Sequence, residues 1–240
     1  MYRTKINLMA ATLFAGFVFF SSCQKEQVNS AIKEHALLSK AKDKDQPPVP
    51  GDDAAFDAET ESVMHRWFAQ MNAMEMTCEP DVTFARMQIM HHQMGVEMAE
   101  VALKYEHHKE AIRLTEKSRD ANLKSIERLQ RCLAKHTENR MLTPEQCAVF
   151  MQNMRDDMVA MQTEMENALH IRDRDDADLD FAELIIEHHK GAISMSQTEL
   201  EFGHDKCMRT EADKLIDEQA KEIEDFSDFK NEHIYGTLKN

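Results

Sequence analysis

Glycine and proline are scarce in this chain, with six and five among 240 residues. So few turn formers exclude a fold of many short strands joined by tight turns and favour long helices with short connections. Basic residues are also in deficit, with 29 Lys and Arg against 44 Asp and Glu and a net charge of −15. Nucleic acid is a poor partner for such a surface. No nucleophile triad signature and no glycine-rich phosphate loop is visible, so the sequence points to neither a hydrolase nor a nucleotide site. The apolar run from Ile6 to Phe20 falls short of the roughly 20 residues of a membrane-spanning helix.

That run follows Arg3 and Lys5 and ends at Ser21-Ser22-Cys23, the pattern of a signal peptide over residues 1–22. Small residues directly before a cysteine resemble the bacterial lipobox, although Phe20 stands where Leu is usual. On this reading Cys23 becomes the acylated N-terminus of a cell-envelope lipoprotein facing the periplasm or the cell surface. Removing residues 1–22 takes away two positive charges and leaves 27 basic against 44 acidic side chains, net −17. Residues 23–53 are polar, with a Lys/Asp run at 42–45 and Pro47-Pro48-Val49-Pro50-Gly51, and read as a tether between lipid and domain.

Beyond the tether, apolar periodicity predicts six helices, over about 54–77, 82–105, 108–136, 144–169, 178–202 and 205–234. Sliding the sequence by 97 positions superposes Asp81–His136 on Asp178–His233 without a gap, and 16 of the 56 positions are identical. The matches include Asp81/Asp178, Phe84/Phe181, His91/His188, His92/His189, Met98/Met195, His107/His204 and His136/His233. A period this long marks a duplicated domain. The expected fold is all-α, an up-and-down bundle from a duplicated three-helix unit, with repeats at 54–140 and 141–240.

Methionine is abundant where turn formers are not: 18 residues, 16 of them after residue 22, against a usual share of roughly 2 per cent. The helix before each duplicated pair carries many of them, Met64, Met71 and Met74 with Phe68 in the first repeat, and Met151, Met154, Met158, Met161 and Met165 in the second. Such stripes are commonly flexible core filler. On the next helices, Phe84, Met87, His91, Met94 and Met98 share one stripe, and Phe181, Leu184, His188 and Met195 repeat it. His92 and His189 sit about 100° around. Gly95 and Ala192, one turn on, leave room beside the imidazoles.

An interior imidazole without partners costs roughly 2–7 kcal/mol, so two such sites need two explanations or one shared. A metal supplies one: burial favours the neutral ring, the form that ligates, and thioether sulfur nearby makes the site soft, which favours copper and particularly Cu(I). The competing explanation is a hydrogen-bonded core, making the chain a structural or interaction lipoprotein. His107, His136, His204 and His233 lie near helix ends, where solvated capping suits them.

The segments Asp81-Val-Thr-Phe-Ala-Arg-Met-Gln-Ile-Met-His-His-Gln and Asp178-Leu-Asp-Phe-Ala-Glu-Leu-Ile-Ile-Glu-His-His-Lys-Gly-Ala resemble domain-of-unknown-function family 305, and Lys214-Leu-Ile-Asp-Glu-Gln-Ala-Lys-Glu-Ile fits it too. Counted as two tandem copies, the resemblance covers most of residues 60–235. It implies a ferritin-like helical bundle and, from CopM-type periplasmic relatives, copper binding that supports copper tolerance. The residues carried over are His91, His92 and Met98 in the first copy and His188, His189 and Met195 in the second, with Met94 beside the first set. The first copy departs from the pattern in Met94-Gly95-Val96-Glu97-Met98 and in Asn122, where Gln is typical. A ferritin-like bundle also invites a di-iron oxidase, but the duplicated Glu-x-x-His that would serve it is missing. No other catalytic constellation is visible, so the expected role is metal binding, with no protein partner indicated.

Cys78, Cys132, Cys147 and Cys207 remain once Cys23 is lipidated, and an oxidising envelope favours disulfides among them over a thiolate copper site. Up-and-down topology puts all four at one end of the bundle. Three pairings are possible, and Cys132 with Cys147 closes the shortest loop.

Overall fold

A computed structural model of the chain describes residues 49–137, 139–170 and 176–237. The signal peptide, the lipidated Cys23 and nearly all of the tether lie outside the described residues. Six helices follow one another: α1 (Asp52–Ala73), α2 (Pro80–Tyr105), α3 (Lys109–Lys135), α4 (Pro144–His170), α5 (Ala177–Phe202) and α6 (Lys206–Thr237). The fold is all-α, with no strand among the described residues. None of these helices is long and apolar enough to cross a membrane.

The helix ends follow from local chemistry. Pro80 and Pro144 open α2 and α4, where a missing N–H costs nothing. Asp176 accepts from the Leu179 N–H at 3.2 Å to cap α5, and Asp205 accepts from Cys207 and Met208 at 2.7 and 3.1 Å to cap α6. At the matching start of α3 the acceptor is the His108 ring, 3.2 Å from the Glu110 N–H. Helix α1 ends at Ala73 rather than near 77, because Met74 turns extended and the Thr77 N–H bonds the Thr83 hydroxyl at 3.1 Å.

The hairpins α2–α3 and α5–α6 pair across an approximate two-fold axis, α2 against α5 and α3 against α6, while α1 flanks α2 and α4 flanks α5. The central α2 and α5 bury residues around most of their circumference, whereas α3 is sharply amphipathic. The repeat explains how the hairpins lock. Asp81, in the first turn of α2, accepts from the backbone N–H groups of His204 (2.9 Å) and Asp205 (2.7 Å) in the other repeat. Asp178 does the same for His107 (3.1 Å) and His108 (3.2 Å).

The helix-end histidines differ from the solvated caps expected of them. His136 is partly buried and sits 2.5 Å from Glu79 and 2.9 Å from Asp205, His107 sits 2.9 Å from Asp52, and His233 sits 3.0 Å from Asp176. They join helices through carboxylates; from His204, the backbone N–H is what meets Asp81. Burial alone would lower His136, but its two carboxylate partners prevail and raise it above the usual histidine value.

Near Asp81 the second repeat has Glu199 and Gly203 where the first has Ala102 and Glu106. Glu199 is fully buried, and a Cβ on Gly203 would run into its side chain. Burial, then the neighbouring Asp81 carboxylate, pushes the Glu199 carboxyl up to about 10, so it is a neutral acid at pH 7. Glu106, also fully buried, accepts from the Thr115 hydroxyl at 2.5 Å.

The main core runs through α1, α2, α4 and α5 and holds Met64, Met71, Met87, Met94, Met98, Met154, Met158, Met161, Met165 and Met195 with Phe56, Phe68, Phe150 and Phe181. A smaller cluster of Phe84, Ile89, Leu129, Met208 and Leu215 fills the space between the hairpins toward the start of α2. The four cysteines meet at that end, as topology predicts, but the pairing is Cys78–Cys147 and Cys132–Cys207, not Cys132–Cys147. The connection into α4 runs past the end of α1, where the Leu142 N–H bonds the Cys78 carbonyl at 2.9 Å, and this delivers Cys147 to Cys78. Loop-closure entropy grows only logarithmically with length, so the shortest loop held little advantage.

Candidate metal centre

His91, His92, His188 and His189 all have zero exposure. They gather where α2 crosses α5, because residues 91 and 188 occupy the same repeat position and the axis passes between them. The His91 and His188 rings stack with centroids 3.7 Å apart and planes 20° from parallel. Each reaches the other helix's backbone: His91 Nε2 is 3.1 Å from the His188 carbonyl and His188 Nε2 is 3.0 Å from the His91 carbonyl. A carbonyl only accepts, so Nε2 carries the proton in both rings and Nδ1 holds the lone pair.

Small residues permit this approach. A Cβ on Gly95 would stand 2.7 Å from His188 Cε1 and 3.0 Å from both His188 Nε2 and Asn122 Nδ2. Across the interface the Gln88 amide donates to the Ala192 carbonyl (2.9 Å) and the Ser196 hydroxyl (3.1 Å). The room read from Gly95 is thus occupied by the opposite copy's histidine.

His92 and His189 turn toward α3 and α6. His189 Nε2 faces Glu222 Oε2 at 2.9 Å and the Ser118 hydroxyl at 3.4 Å. Burial would raise the Glu222 carboxyl, but His189 and Ser118, with Lys117 nearby, bring it below its ordinary value. His92 has no such carboxylate: the position matching Glu222 is Ser125, and the one matching Ser118 is Leu215. Asn122 lies beside His92 instead.

The electrostatics keep three of these rings, His91, His92 and His188, neutral. Burial first, then the neighbouring imidazoles, holds His91 and His188 well below the usual histidine value. Burial brings His92 down to about 4. Nδ1 of all four rings is buried without a hydrogen-bond partner, as are the Asn122 amide and the Ser125 hydroxyl. Native interiors tolerate few such atoms, and each asks for an explanation.

Met94, Met98 and Met195 are fully buried in the same α2–α5 region. Met161 lies over Gly191, the position that matches Met94, so a thioether from α4 fills in one repeat the space a side chain of α2 takes in the other. Among the described residues, one group of three His, Cys, Asp or Glu ligand atoms lies within 4.8 Å of one another, and it is Asp53 and Asp57, near the start of α1, with Asp180 in the first turn of α5. Three imidazoles do not converge to that degree. The sequence did not single out Asp81, Asp178, Gln88 or Glu222; for the two aspartates the repeat was the available signal, and for Gln88 and Glu222 there was none, since neither recurs in the other copy.

Fold and centre together define a duplicated helical-hairpin bundle with a buried imidazole cluster on its internal axis. The chain belongs to the family described as Domain of unknown function (DUF305), whose model matches residues 81–230, a range that takes in both His-His helices. No curated protein and no solved structure matches the chain significantly.

Proposed function

We propose that this protein is a cell-envelope lipoprotein that binds copper as Cu(I) through histidine and methionine side chains, buffering the metal or passing it on. The observation that carries the reading is the set of four fully buried imidazoles whose Nδ1 atoms have no hydrogen-bond partner. A ligating histidine is neutral and commonly fixes its other ring nitrogen on a carbonyl or carboxylate. His91 and His188 meet that description through each other's backbone carbonyls, and His189 places Nε2 against the Glu222 carboxylate. With at most two imidazoles close together, thioethers complete the donor set, and Met94, Met98 and Met195 are the candidates. Such a set suits a soft cation that tolerates low coordination and suits calcium, magnesium or manganese poorly. The resemblance to copper-binding relatives supports the same choice. No bond making is implied.

The reciprocal His91–His188 bonds to helix carbonyls favour a second reading, a structural lipoprotein in which the imidazoles only tie the repeats together. Anaerobic Cu(I) titration of the protein against a competing chelator separates the two. The expected result is competitive binding in the wild type, lost in the His91→Ala/His188→Ala variant. Binding should also weaken in Met94→Leu/Met98→Leu/Met195→Leu, which keeps core volume while removing sulfur. A wild type that never competes for Cu(I) leaves the structural reading. Iron bound with oxygen-dependent turnover would point instead to an oxidase.

A further inference from the structure

The two halves of the imidazole cluster are alike in sequence position but not in charge. Among the described residues, Glu222 is the acidic side chain placed against a ring of the cluster, 2.9 Å from His189 Nε2, and its own side chain is only 6% exposed. The equivalent residue facing the first copy is Ser125, a neutral hydroxyl. Nearby cations are already engaged: Arg128 holds Glu211 and Glu218 at 2.6 Å each, and Lys117 holds Asp225 at 2.6 Å.

A monovalent cation held by neutral imidazoles and thioethers keeps its whole charge in a region of low dielectric. Burying such a charge is very costly unless an opposite charge is buried with it. We infer that Glu222 is a positioning residue that makes this centre asymmetric, fixing the His189 ring with Nε2 toward the carboxylate and supplying the negative charge that balances a bound monovalent soft cation on the second-repeat side. The inference rests on the metal-binding reading above and deepens it by assigning the charge balance and the tighter half. A cation held on His189 Nδ1 would be backed through the ring by the Glu222 carboxylate on Nε2, and removal of such an outer partner commonly costs roughly 10- to 100-fold in affinity.

The test uses the intact protein with Cu(I), and Ag(I) as a redox-inert equivalent, measured by competition in wild type, Glu222→Gln and Glu222→Asp. Glu222→Gln should bind both cations about 10- to 100-fold more weakly, and Glu222→Asp should recover part of the loss. Imidazole ¹⁵N spectra supply a reading that a merely structural role would not move. Ag(I) should shift His189 Nδ1 in the wild type, and Glu222→Gln should change the His189 tautomer balance before any metal is added. Equal affinity in wild type and both variants, with an unchanged His189 signal, would overturn the role of Glu222 while leaving copper binding in place. No binding in the wild type would instead remove the reading on which it rests.

Discussion

At the scale of single residues, Gly95 shows how closely the centre is built. Glycine inside a helix is worse than alanine by roughly 0.5–1 kcal/mol, so an open site would gain from Gly95→Ala. Here the added methyl would meet His188 at 2.7 Å, and that ring is held on one face by His91 and at Nε2 by a backbone carbonyl. We expect Gly95→Ala to destabilise the protein by roughly 1–3 kcal/mol, the usual cost of overpacking, and a urea midpoint measures it. A gain in stability would mean that the stack yields readily. The sequence revealed that both His-His pairs turn inward and that a small residue leaves them space. That the space belongs to the opposite copy's ring was not legible, because side-chain period fixes a face of a helix but not which neighbour covers it.

At the scale of elements, the repeated aspartates carry more than their positions suggest. An Asp in the first turn of a helix ordinarily favours its own helix dipole. Asp81 and Asp178 instead accept the N–H groups that open the final helix of the other hairpin, so each hairpin caps the other. Asp81→Ala and Asp178→Ala should therefore each cost about 1–2 kcal/mol, the range of a lost N-cap, with hydrogen exchange rising at 204–208 in the first variant and at 107–111 in the second. Exchange rising instead at the start of the mutated helix would return the aspartates to the ordinary role. The six helices were legible from periodicity and from prolines and glycines, and the 97-residue repeat exposed the duplication. Cross-repeat capping and disulfide pairing were not, since both depend on which helix ends meet in space. Cys147 meets Cys78 where the Leu142 N–H bonds the Cys78 carbonyl, a contact with no signature in the sequence.

For the whole molecule, burying titratable groups in unlike states sets a distinctive response to pH. Three histidines, His91, His92 and His188, have folded values below that of the unfolded chain, near 6.5. Above pH 6.5 neither state protonates them, and below it only the unfolded state does, so stability falls as the pH drops, for His92 down to about 4. Glu199 acts oppositely: raised from 4.5 to about 10, it keeps its proton in the fold, so its contribution is complete below 4.5 and is lost as pH rises toward 10. Between pH 6.5 and 4.5, three imidazoles against one carboxyl leave about two protons taken up on unfolding, or about 2.7 kcal/mol per pH unit at roughly 1.4 per proton. Above 6.5 Glu199 holds a proton the unfolded chain releases, and up to its own raised value so does His136, so stability declines by at least about one proton's worth per unit. The metal-free protein should therefore be most stable near pH 6.5, with the acid limb the steeper. Glu199→Gln should flatten the alkaline limb and steepen the acid one toward about three protons, since the opposing carboxyl is gone. Urea unfolding at intervals from pH 5 to 9 gives both slopes. A flat profile in the wild type would show that the imidazoles exchange protons with solvent in the folded state, and the buried centre would then have to be open on the timescale of the measurement.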